Sequence, residues 1–83
     1  MLGAGPTARA EGATRAVLSK RSFSLAGHRT SVALEPEFWD ALADIAAARG
    51  MPLAALIVEV DAARTPQRKL ASALRVFALA QRR

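Results

Sequence analysis

The groups able to do chemistry in this 83-residue chain are mostly cations. Histidine occurs once, at His28, and cysteine not at all, so thiolate and histidine-rich metal sites are excluded, as are disulfides. Glu35 and Glu37 form a close carboxylate pair, but they flank Pro36, where negative charge suits the positive end of a helix better than acid–base work. His28 follows Gly27 and reads as a structural turn donor. Neither an activated nucleophile nor a general acid–base pair is visible, so an enzyme is not expected, and no cofactor or metal is implied. Anion recognition is what remains. Twelve Lys and Arg stand against seven Asp and Glu, giving a net charge of +5 and a pI near 11.4. In so short a chain this balance favours nucleic acid or an anionic membrane surface as partner.

The elements that must position these cations follow from the spacing of apolar residues. Arg29 to Leu34 alternates, with Thr30, Val32 and Leu34 on one side, as a half-buried strand does. Lys20 to Leu25 alternates too, with Arg21, Phe23 and Leu25 on one side and Lys20, Ser22 and Ser24 on the other. Ala26-Gly27 between them is a turn signal. Two readings stay open: an intrachain hairpin with an extra strand over 20–25, or a basic arm that leaves the fold.

Pro36 suits the first position of a helix expected over 36–49, with Phe38, Leu42, Ile45 and Ala46 on its buried face and Trp39, Ala43 and Ala47 broadening it. Arg49-Gly50 is its stop signal. A second helix is expected over 52–64, opened by Pro52 and carrying Leu53, Leu56, Ile57 and Val60 as its apolar stripe. Thr65-Pro66-Gln67 makes a turn among Arg64, Arg68 and Lys69, which read as a solvated loop. A third helix over 68–81 places Leu70, Ala73, Leu74, Phe77 and Gln81 on one face.

Residues 1–19 read as a disordered extension ahead of one domain over 20–83, with only a faint likeness to a transit peptide. No apolar run approaches the roughly 20 residues that span a bilayer, and no secretory signal is visible. A core this small gives about 3–5 kcal/mol unless something enlarges it. Without disulfides or metal, that something is a second copy of the chain.

Strand, helix, Gly-led turn, helix is the layout of the ribbon–helix–helix DNA-binding family. The segment Gly27-His28-Arg29-Thr30-Ser31-Val32-Ala33-Leu34-Glu35-Pro36-Glu37-Phe38-Trp39 resembles one bacterial branch of it. The tail Leu70-Ala71-Ser72-Ala73-Leu74-Arg75-Val76-Phe77 also resembles that branch, which carries an extra C-terminal helix. The resemblance covers about Lys20 to Leu79 and implies a mostly α fold with a short β-ribbon. It implies a homodimer whose two strands pair antiparallel and enter the major groove of double-stranded DNA.

Position by position, the resemblance makes Arg29, Ser31 and Ala33 the base-contacting residues. Arg29 could bond guanine twice and Ser31 several bases, whereas Ala33 offers only a methyl contact where family members usually carry a longer polar side chain. Phosphate contacts fall to Lys20 and Arg21 and to the backbone amides of Leu53 and Ala54. Pro52 stands where the family commonly has a capping Ser or Thr. The dimer core would comprise Thr30, Val32, Leu34, Phe38, Trp39, Leu42, Ile45, Leu56, Ile57 and Val60. Trp39 is assigned to packing rather than to a partner.

The function so implied is a homodimeric, cytoplasmic bacterial transcriptional regulator. The alternative is a dimeric interaction module, such as an antitoxin-like protein holding a protein partner through the C-terminal helix. A weaker third reading docks the basic N-terminus on an anionic membrane.

Overall fold

The computed structural model describes residues 17–81. Of the extension expected over residues 1–19, residues 1–16 therefore lie outside the described residues. In chain order the elements are β1 (Ser19–Leu25), β2 (His28–Leu34), α1 (Pro36–Ala48), α2 (Leu53–Ala63) and α3 (Leu70–Gln81). Of the two readings left open for Lys20 to Leu25, the hairpin is the one adopted: β1 pairs antiparallel with β2, from Ser19 opposite Leu34 to Leu25 opposite His28. This corrects the placing of Ser19 in the extension. One of the two edges of β2 is thereby filled by its own chain, and the other is open.

Ala26 and Gly27 close the hairpin, both with positive φ (51° and 83°). Two successive left-handed residues give the primed turn whose twist matches that of the strands. Gly27 adopts that conformation freely, but Ala26 pays for its Cβ.

The faces of the hairpin are sorted by polarity. Val32, Leu34 and Leu25 are buried against the helices, with Phe23 packed beside them. Trp39 fixes β1 from below: its Nε1 donates to the Ser19 carbonyl at 2.8 Å, and its ring lies 5.8 Å from that of Phe23. The indole is almost wholly buried (1% exposed), so this donor depends on Ser19 for its partner.

The helix α1 starts where Pro36 fixes φ, and the Glu35 carbonyl accepts from Phe38 (2.9 Å) and Trp39 (3.2 Å). Its end is a Schellman cap, with Gly50 at φ +68°, Gly50 N–H bonded to the Ala47 carbonyl and Met51 N–H to that of Ala46. Trp39, Leu42 and Ala46 form its buried face, whereas Ala43 and Ala47 are exposed and do not broaden it. The second helix begins one residue later than expected. Pro52 is its N-cap, in extended conformation at ψ 151°, rather than its first turn.

Leu56, Ile57 and Val60 are buried on α2. After it, Pro66 bars helix at Thr65, and Arg64 braces the turn by donating to Asp61 Oδ1 (2.9 Å) and to the Arg68 carbonyl (2.8 Å). Arg68 and Lys69 consequently stay outside α3, which starts at Leu70 instead of 68. Its buried face runs through Leu70, Ala73, Leu74 and Ala78, with Phe77 half-buried at the margin. Gln81 is exposed and accepts from Arg49 Nη2 at 3.0 Å, so it ties α3 to the end of α1 rather than extending the apolar face.

Glu35, at the junction of β2 and α1, accepts from Arg75 Nε of α3 at 3.0 Å. The Arg75 hydrogen bond holds its carboxyl below its ordinary value of 4.5. A lowered folded value means the bridge stabilises the fold fully above the unfolded value and is lost as pH falls through the folded one. Thermal melting below pH 5 should therefore show an acid-sensitive limb that is weaker in Arg75→Ala. Ala26→Asn, which tolerates the left-handed turn, should stabilise by about 1 kcal/mol in urea denaturation. Trp39→Phe should cost about 1–3 kcal/mol and speed amide exchange in β1 before it does so in α3.

Candidate nucleic-acid interface

The pairing register sets Lys20 opposite Ala33, Ser22 opposite Ser31 and Ser24 opposite Arg29. All six lie on the face of the sheet turned away from the helices, because their neighbours Phe23, Leu25, Val32 and Leu34 pack into the core. This outward face thus holds two cations, three serines and an alanine, with no carboxylate. Ser22 and Ser31 share a hydrogen bond across the strands, Oγ to Oγ at 3.1 Å. Each hydroxyl keeps a further lone pair or its proton for an outside partner. Small side chains between two long cations leave the backbone open to close approach by a polyanion.

The remaining cations show why these two stand out. Arg21 lies on the helix-facing side, its guanidinium 4.9 Å from the centre of the Trp39 ring. Arg49 stacks over Phe77 at 5.3 Å and Arg75 over Phe38 at 5.8 Å. Arg64 is bonded to Asp61, and Arg68 Nη1 donates to Ser72 Oγ at 3.3 Å. Five arginines are thus engaged in packing or bracing. Among the described residues, Lys20, Arg29 and Lys69 have no ion pair, hydrogen-bonded side-chain partner or stacked ring.

The sequence-derived site residues are distributed unevenly over this geometry. Arg29 and Ser31 are exposed on the outward face and Ala33 is half-buried there. Lys20 joins them from β1, but Arg21 points to the opposite side and does not form one cluster with it. The amides of Leu53 and Ala54 precede the first bond of α2, donated by Ala55 to the Pro52 carbonyl at 3.0 Å. They lie on a separate element, at a helix start that lacks any side-chain cap. Val32, Leu34, Trp39, Leu42, Leu56, Ile57 and Val60 are buried within the single chain, while Thr30, Phe38 and Ile45 are only half-buried. Those three are the members of the expected dimer core with surface left to cover.

Ser22 and Ser24 were not singled out by the sequence reading as site residues, although their alternation with Phe23 and Leu25 was visible. A second missed feature is the groove along the open edge of β2. Thr30, Ser31, Val32 and Ala33 form one wall, and Pro66 and Lys69 of the α2–α3 turn belong to the other. Lys69 thereby stands beside the edge of the outward face. No spacing rule links residue 69 to residue 31, so only the fold brings them together.

No single helix among the described residues is long and apolar enough to cross a membrane. No curated protein and no solved structure matches the chain. A family model described as a ribbon-helix-helix domain matches residues 18–82, from just before β1 to beyond the end of α3. With its antiparallel strands followed by three helices, the chain belongs to the ribbon-helix-helix domain family, whose members are generally DNA-binding regulators or antitoxins.

Proposed function

We propose that this protein is a homodimeric DNA-binding transcriptional regulator in which the β2 strands of two copies pair antiparallel and enter the major groove. The observation that carries this reading is the outward face of the sheet, where Arg29 and Lys20 stand amid serines and an alanine with no side-chain partner among the described residues. The open edge of β2 and its adjoining groove supply the place for the second strand. An unpaired strand edge carries a row of backbone donors and acceptors that a second copy can satisfy.

In this arrangement Arg29 donates two bonds to a guanine edge, Ser31 bonds a neighbouring base and Ala33 touches a thymine methyl. Lys20 neutralises phosphate, and the amides of Leu53 and Ala54 add a weaker phosphate contact at the start of α2. Discrimination is concentrated at Arg29, since Ala33 cannot hydrogen-bond through its side chain. Operator occupancy would then be the regulatory act, in a bacterial cytoplasm.

A second reading, a dimer that holds a protein partner as an antitoxin does, draws on α3. Val76 and Leu79 there are large, apolar and exposed (49% and 61%). Co-purification from native lysate with loss on Leu79→Glu would favour that reading.

The test of the first is selection of bound sequences from random DNA followed by a mobility shift. The protein should retain a selected duplex at low salt and release it steeply as salt rises. Arg29→Ala should weaken binding by about 1–3 kcal/mol and relax preference at one base pair. Absence of binding at low salt contradicts the proposal.

A further inference from the structure

The hairpin gives each chain one strand more than a shared ribbon needs. If the open edges of two β2 strands join, the sheet has four strands in the order β1, β2, β2, β1, with each β1 on an outer edge. Strand axes lie about 4.8 Å apart, so the outer pair is separated by roughly 14 Å, against a major groove of about 12 Å. The central pair fits between the groove walls, and the outer pair does not. It comes to lie over the walls themselves, where the phosphates are.

We propose that β1 is a phosphate-binding strand, with Lys20, Ser22 and Ser24 contacting the backbone that flanks the groove while β2 alone reads bases. The proposal rests on the DNA-binding reading above and goes beyond it by assigning a separate role to each strand. Three features of the hairpin carry it. The three side chains are exposed and point the same way as Arg29 and Ser31, by the register that sets Ser24 opposite Arg29 and Ser22 opposite Ser31. Hydroxyls and ammonium groups are the side chains that bond phosphate oxygens, and none of the three has the planar paired donors or acceptors that distinguish one base from another. Finally, β1 is held in place from behind, through the Trp39 bond to Ser19 and the Arg21 guanidinium on the Trp39 ring. Phosphate contacts set register only if the strand bearing them is fixed.

Trp39 therefore has a consequence for binding as well as for packing. It keeps β1 in the sheet and so keeps Lys20 at a set distance from Arg29. The width that would hinder entry of all four strands into the groove becomes the means of seating the central two.

The experiment compares Lys20→Ala, Ser22→Ala, Ser24→Ala and Arg29→Ala with the unaltered protein, on a selected duplex and on a scrambled one, over a salt series. Melting curves establish that each variant is folded. Lys20→Ala should weaken binding several-fold on both duplexes and reduce the slope of log affinity against log salt by about one. Lys20→Arg should restore that slope. Ser22→Ala and Ser24→Ala should weaken binding several-fold and equally on both duplexes, with the slope unchanged. Arg29→Ala alone should erase preference at a base pair.

Altered base preference in Ser22→Ala or Ser24→Ala would overturn the proposal, since β1 would then lie inside the groove. Unchanged affinity in all three β1 variants would overturn it as well, while a relaxed preference in Arg29→Ala would leave the DNA-binding reading standing. Failure of the unaltered protein to bind either duplex would overturn both.

Discussion

A strand has two edges, and β2 has only one of them filled. The rest of the molecule is arranged around that constraint. β1 covers one edge and is itself held by the indole of Trp39 on the Ser19 carbonyl. Because that bond comes from the first turn of α1, it fixes the hairpin over the helices with Val32 and Leu34 down and Arg29 and Ser31 up. A slip of one residue would reverse both faces, putting Arg29 into the core and Val32 into water. The open edge, by contrast, borders a groove and awaits a strand that the chain does not itself supply among its described residues.

Charge is divided along the same line. A basic chain can spread its cations as a general solvated coat, which would say little about a partner. Here the guanidinium groups of Arg21, Arg49 and Arg75 lie on three of the four aromatic residues, Trp39, Phe77 and Phe38, covering rings at the margin of the core. Such stacking adds only a modest attraction at exposed sites, but it also shields apolar surface with the arginine stems. Arg64 and Arg68 brace the turn before α3, and among the described residues the other cations, Lys20, Arg29 and Lys69, lie on the outward sheet face or beside its edge. The excess of positive charge thus becomes directional only once the fold is in place.

Much of this was legible in the sequence. The period of two through Val32 and Leu34, the proline at residue 36 and the glycine at 50 each have one dominant structural meaning, and the elements fell within two residues of expectation. The turn at Ala26-Gly27 was visible as well, but local pattern could not distinguish a hairpin from a departing arm. The hairpin is held by contacts distant in sequence, among them the bond between Trp39 and Ser19, twenty residues apart, and no periodicity encodes a side chain reaching a backbone carbonyl. The same holds for Arg21. Its place in the alternation with Phe23 and Leu25 pointed inward, yet its charge suggested a phosphate ligand, and the ring beneath it reconciles the two. Gln81 falls at the spacing of the apolar face, whereas its amide oxygen serves the end of α1. The groove between β2 and Lys69 depends on the path of the turn braced by Arg64, which sequence spacing does not specify.

The proposed dimer would cover the half-buried Thr30, Phe38 and Ile45, fill the open edge of β2 and enlarge a small core. Sedimentation equilibrium of the folded protein at micromolar concentration, in the absence of DNA, tests this most directly. The account predicts a single species of twice the chain mass. A well-folded monomer at that concentration would contradict it, because the strands of two copies would then not be joined.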